Sequence, residues 1–107
     1  MKIRFARTGG FAGLSLRATI DVDLLPPAER ADVLRLAAEA DLAALPADLR
    51  AAAPDRFRFE LEWDGMRLAA DEAAAPAPLR ALFARLIDLA RGGGPGVERP
   101  PAKGAVP

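Results

Sequence analysis

Residues 57–68 read Phe57-Arg58-Phe59-Glu60-Leu61-Glu62-Trp63-Asp64-Gly65-Met66-Arg67-Leu68, and this stretch decides the fold class. Phe57, Phe59, Leu61 and Trp63 alternate with charged residues, the period of two expected of a strand with one buried face. Asp64-Gly65 is the preferred pair for a two-residue type I′ turn. Folding back at that turn sets Trp63 against Met66, Leu61 against Leu68 and Glu62 against Arg67. Apolar meets apolar and opposite charges meet, so turn chemistry and face pattern agree. The product is a hairpin with one apolar face that something must cover.

The cover lies immediately downstream. From about Pro76 to Arg91, Leu79, Leu82, Phe83, Leu86, Ile87 and Ala90 recur at steps of three and four, while Arg80, Arg85, Asp88 and Arg91 take the other side. Pro76 suits a first helical turn and Gly92 a helix end. Upstream, Ile3 and Phe5 alternate with Lys2 and Arg4, and Leu14, Leu16, Ala18 and Ile20 with Ser15, Arg17 and Thr19. With Arg7 facing Leu14, Phe5 meets Leu16 and Ile3 meets Ala18, which predicts a first hairpin. Pro27 to Ala40 offers Val33, Leu36, Ala37 and Ala40 at helical spacing, led by Pro26-Pro27 and Glu29. Ala47 to Pro54 reads as a loop holding at most one helical turn. The expectation is an α+β domain over residues 1–91. Its four-stranded antiparallel sheet consists of two hairpins, with one face covered by two helices, in the order ββαββα. Strand order is left open, and no internal repeat is evident. Residues 92–107, with five glycines and four prolines, read as a disordered tail.

Composition removes several functions. Lys plus Arg and Asp plus Glu each number 15, so the formal net charge is zero, which argues against a broad footprint on nucleic acid or an acidic membrane. No apolar run reaches the length of about 20 residues that crosses a bilayer, and Met1 to Arg7 lacks the apolar core of a signal peptide. Together with the absence of cysteine, this suggests the cytosol. The chain has no His, Cys, Tyr, Asn or Gln, a single serine (Ser15), threonine only at positions 8 and 19, and lysine only at 2 and 103. A zinc or redox-metal site of the usual kind is therefore unavailable, as is a Ser-His-Asp or Cys-His mechanism. Glu60 and Glu62 share a strand face, but paired-carboxylate chemistry needs a deep cleft that so short a chain hardly supplies. We read them as a solvated face. The Phe57, Phe59 and Trp63 stripe has the residues of a base-stacking platform. Burial under a helix is the simpler reading. The first hairpin's polar face, carrying Lys2, Arg4 and Arg17, is either solvated or a docking surface.

Thr8-Gly9-Gly10-Phe11-Ala12-Gly13 breaks the economy of the rest. Hairpins need two to five loop residues, whereas this connector has six, three of them glycine, with Phe11 near its centre. Either Phe11 folds back over the open end of the core, or it is presented to a partner. No phosphate cradle is supported, because these glycines sit between two strands and not before a helix.

Ile3-Arg4-Phe5-Ala6-Arg7-Thr8-Gly9-Gly10-Phe11-Ala12-Gly13 resembles the N-terminal signature of the emfourin family, protein inhibitors of protealysin and related thermolysin-like zinc metallopeptidases. The likeness continues through Leu24-Leu25-Pro26-Pro27, Leu45-Pro46, Pro54-Asp55-Arg56-Phe57 and Ala75-Pro76 with Leu79-Arg80, covering roughly residues 1–91. The chain departs from the pattern at Thr8, where serine is expected. It departs again at Ala43 and Ala44, where aromatics are expected, and at Phe59, where an aromatic hydroxyl is expected. The resemblance implies a non-enzymatic inhibitor, a monomer when free, with no cofactor and with a metallopeptidase as its partner. It also implies that the partner-binding residues are Thr8, Gly9, Gly10, Phe11, Ala12 and Gly13. Gly10-Phe11 and Gly13-Leu14 place a bulky apolar residue where such peptidases favour one, just after the scissile bond. Phe11 would fill the apolar pocket while a backbone carbonyl approaches the zinc. The alternative is a non-catalytic interaction module docking through the basic face of the first hairpin.

Overall fold

The computed structural model describes residues 1–9, 15–52 and 57–99. Strands β1 (Lys2–Gly9) and β2 (Ser15–Asp21) form the first hairpin, and helix α1 (Pro27–Ala40) follows. A two-residue strand β3 (Asp48–Leu49) precedes the second hairpin, β4 (Phe57–Trp63) and β5 (Met66–Asp71). Helix α2 (Ala77–Gly92) and a second short strand, β6 (Val97–Glu98), complete the chain. The sheet runs β3-β5-β4-β1-β2-β6, with β1 and β4 adjacent at its centre.

The second hairpin has the register its turn dictates: Trp63 faces Met66, Leu61 faces Leu68 and Glu62 faces Arg67. Asp64 and Gly65 both take positive φ, 49° and 79°, as a type I′ turn requires. The first hairpin has the expected faces but not the expected register. Phe5 lies opposite Ala18 and Arg7 opposite Leu16, two residues from the pairing read off the sequence. A slip of two preserves which side chains face the core, so the hydrophobic pattern cannot detect it.

The expected sheet needs correcting in number, direction and element order. It has six strands, not four, and is mixed, because β3 runs parallel to β5. Among the described residues the order is therefore ββαβββαβ. β3 arises within the stretch read as a loop, and β6 within the glycine- and proline-rich stretch that begins at Gly92. β6 depends on a backbone approach that only glycine permits. Gly96 has φ 82°, its carbonyl accepts the Asp21 N–H at 2.7 Å, and an added Cβ would lie 2.8 Å from the Asp21 oxygen.

Both helices lie on one face of the sheet. Phe5, Ile20, Phe59 and Leu61 meet Val33 and Leu36 of α1 and Leu79, Leu82, Phe83 and Leu86 of α2 in one continuous core. Phe59 and Phe83 stack with centroids 4.2 Å apart and Phe5 lies 6.0 Å from Phe59, so the central residue of the aromatic stripe is spent on packing. Phe59 is 2% exposed, which removes it from any base-stacking platform. Asp32 pairs with Arg35 at 2.6 Å and lies 2.9 Å from Arg85 Nε, joining α1 to α2. The Arg85 N–H does not align with the carboxylate, so that contact is ionic and not a hydrogen bond.

Although the sequence shows no evident repeat, the architecture does repeat. Each hairpin ends on an aspartate, Asp21 or Asp71, and leads through a 3₁₀ turn, Val22–Leu24 or Glu72–Ala74, to a helix capped by proline, Pro26 or Pro76. The short strand after each helix then joins the other half's hairpin, β3 on β5 and β6 on β2.

Candidate functional site

The unusual connector springs from the centre of the sheet. Thr8 sits opposite Ser15 on β2 and opposite Arg58 on β4, and Gly9 lies opposite Phe57. β1 is thus flanked on both sides almost to its last residue, which fixes the position and direction in which the connector leaves. Gly9 has φ 117°, a conformation that a side chain would strain. Of the six residues singled out, Thr8 and Gly9 are seen at this root. Gly10, Phe11, Ala12 and Gly13 lie outside the described residues, as does Leu14. The twin hairpin gives a measure of the excess: there Asp64-Gly65 alone closes the turn, where here Gly9 to Leu14 separate the paired residues Thr8 and Ser15.

Charged and aromatic side chains brace the root. The Arg7 guanidinium lies 4.7 Å from the centroid of the Phe57 ring, a cation–π contact at the end of β4. On the opposite sheet face, Arg58 donates to Asp71 at 2.8 Å and also to Asp48. Asp71 accepts the Ala51 N–H at 2.9 Å, and Arg50 donates to Asp48 at 2.9 Å. The network ties residues 48–51 to β5 and to β4, the strand that borders β1. Its carboxylates are held below the usual aspartate range, Asp71 by the Ala51 N–H and then by Arg58, Asp48 by its hydrogen bond from Arg58. The periodicity of β4 marks Phe57 and Arg58 as strand residues, but only the β4–β1 neighbourhood reveals them as supports of the connector.

The uncovered sheet face forms a shallow trough of about 900 Å³, with Arg4, Ala6, Arg17, Glu60 and Glu62 among its lining residues. Its charges alternate in sign across the strands. Lys2 faces Asp21, and Arg4 faces Glu62, which itself lies 3.6 Å from Arg67. Lys2, Arg4 and Arg17 therefore do not form the basic surface that one hairpin viewed alone suggests. Among the described residues no group of His, Cys, Asp or Glu could hold a metal ion, and no helix is long and apolar enough to cross a membrane.

No curated protein and no solved structure matches the chain. The Emfourin family model matches residues 5–87, from β1 through the connector and both hairpins into α2. With most of its length inside that match, the chain belongs to the Emfourin family.

Proposed function

We propose that this protein inhibits a thermolysin-like, protealysin-type zinc metallopeptidase by placing the 8–13 connector in its active-site cleft. Membership of the Emfourin family carries this reading. Support comes from a connector longer than hairpin closure requires, leaving a strand paired on both sides at the sheet centre. Phe11 fills the apolar pocket beyond the scissile position. Lacking His and Cys, the chain meets the metal through backbone oxygen or a carboxylate. Because the root is already ordered, less conformational freedom is lost on binding than a free peptide would lose. The same constraint holds the connector's peptide bonds away from the geometry of attack, so that it occupies the cleft without being consumed. The protein itself performs no catalysis.

Docking through Lys2, Arg4 and Arg17 is the weaker reading, because acidic partners lie beside two of the three. Peptide hydrolysis by a thermolysin-like enzyme, followed with the purified protein at equimolar micromolar concentration, tests the proposal. Hydrolysis should slow with one-to-one stoichiometry. An unchanged rate overturns the inhibitor reading.

A further inference from the structure

We infer that the outer edge of β2 beside the connector, Ser15 to Ala18, which no other described strand pairs, forms main-chain hydrogen bonds with an extended segment of the partner peptidase. This rests on the inhibitor reading and adds a second point of attachment to it. The direction of each β2 peptide group follows from two hydrogen bonds. Val22 N–H donates to Met1 on the β1 side at 2.9 Å, and Asp21 N–H donates to Gly96 on the β6 side at 2.7 Å. Because successive residues of a strand alternate, Thr19, Arg17 and Ser15 share the outward direction of Asp21, and Ile20, Ala18 and Leu16 point to β1. β6 meets only Thr19 and Ile20 among the described residues. The N–H and C=O groups of Arg17 and Ser15 thus face outward along an edge that continues directly into the connector.

The chain's own C-terminal stretch is ill-suited to fill that edge. Were the β2–β6 ladder extended, with Thr19 opposite Glu98 as its register, Pro100 would fall opposite Arg17. Proline has no N–H to give the Arg17 carbonyl, and Pro101 restricts its predecessor further. An unpaired strand edge is a template for another strand, and natural proteins usually blunt one that has no use. Here Arg17 is exposed on the open face and Leu16 half-buried on the other. Arg17 has no ion pair among the described residues. The fitting occupant is an extended segment with an apolar residue on the Leu16 side and an acidic one beside Arg17.

Inhibition of the same thermolysin-like peptidase by four proteins provides the test: the parent, Arg17→Ala, Arg17→Pro, and the double variant Pro100→Val with Pro101→Thr. Arg17→Pro removes an outward N–H and leaves the β1 ladder intact, a placement edge strands tolerate. It should weaken inhibition about tenfold, as expected when a partner carbonyl is left buried and unpaired. Arg17→Ala, which loses only an exposed charge, should cost no more than about fivefold. The double variant lets the chain's own C-terminal stretch pair along β2, and should raise Tm while weakening inhibition. It also serves as the test if Arg17→Pro fails to fold. Parent-like inhibition by a folded Arg17→Pro, or by a double variant with raised Tm, overturns the edge contact and leaves the inhibitor reading intact. A parent that does not inhibit overturns both. Light scattering that shows a parent dimer and an Arg17→Pro monomer assigns the edge to self-association and overturns the proposal.

Discussion

At the scale of single residues, two backbone positions and one carboxylate carry much of the design. Gly9, the last residue of β1, has φ 117°, so Gly9→Ala should strain the connector's root. We expect weaker inhibition with little change in Tm, read by comparing inhibition constants and thermal melts. Gly96→Ala drives a Cβ into the Asp21 carbonyl, a backbone atom that cannot rotate away. It should cost about 1–3 kcal/mol in urea unfolding, as overpacked sites do. Asp71 acts through charge. Its pKa is depressed in the folded protein, so its contribution is present above the unfolded value of about 4 and is lost as pH falls through the folded value. Asp71→Asn should therefore lower Tm at pH 7 and converge on the parent as pH falls below the folded value, where both side chains are neutral. A Tm difference that persists undiminished in acid would show that the network stabilises by shape and not by charge.

At the scale of elements, local chemistry had to fix both register and face before an element could be read from sequence. Asp64-Gly65 does this for the second hairpin, because the turn type allows one register and that register matches like with like. The glycine-rich connector imposes no such constraint, so the first hairpin's faces were legible while its register was not. Two-residue strands contain no period at all. β3 and β6 form because neighbouring edges offer partners, Ala69 N–H donating to the Ala47 carbonyl and Asp21 N–H to Gly96. The helices were readable from their apolar steps, with one adjustment: Leu89 is buried where Ile87 is only partly so. Strand order could not be read either. For that reason Thr8 and Gly9 could be proposed as candidate site residues from sequence while Phe57 and Arg58, their neighbours on β4, could not. The Phe59–Phe83 stack is the joint between sheet and cover. Phe83→Ala should cost about 3–5 kcal/mol in equilibrium unfolding. A loss under about 1 kcal/mol would mean that α2 is held chiefly elsewhere.

At the scale of the whole molecule, two ββα halves exchange their short third strands, so each half covers part of an edge of the other. Ending the chain at Gly94 keeps α2 and its terminal glycines but deletes β6. Ending it at Arg99 keeps β6. The first truncation should lower Tm by roughly 5–10 °C, corresponding to about 1–2 kcal/mol in a domain of this size, and the second should leave Tm unchanged. Equal melting of the two would show that β6 contributes nothing to the fold. The halves differ most in their turns: one hairpin closes in two residues, and the other extends a connector from the most constrained strand in the sheet. A sheet that offers a glycine-flanked phenylalanine to a partner is the arrangement on which the inhibitor account depends. The inhibition constant of Phe11→Ala against a thermolysin-like peptidase, measured beside its melting curve, tests that most directly. The account predicts inhibition weaker by about tenfold or more, the effect of losing a buried anchor of about 2 kcal/mol, with Tm unchanged. Inhibition equal to the parent's by a fully folded Phe11→Ala would contradict it.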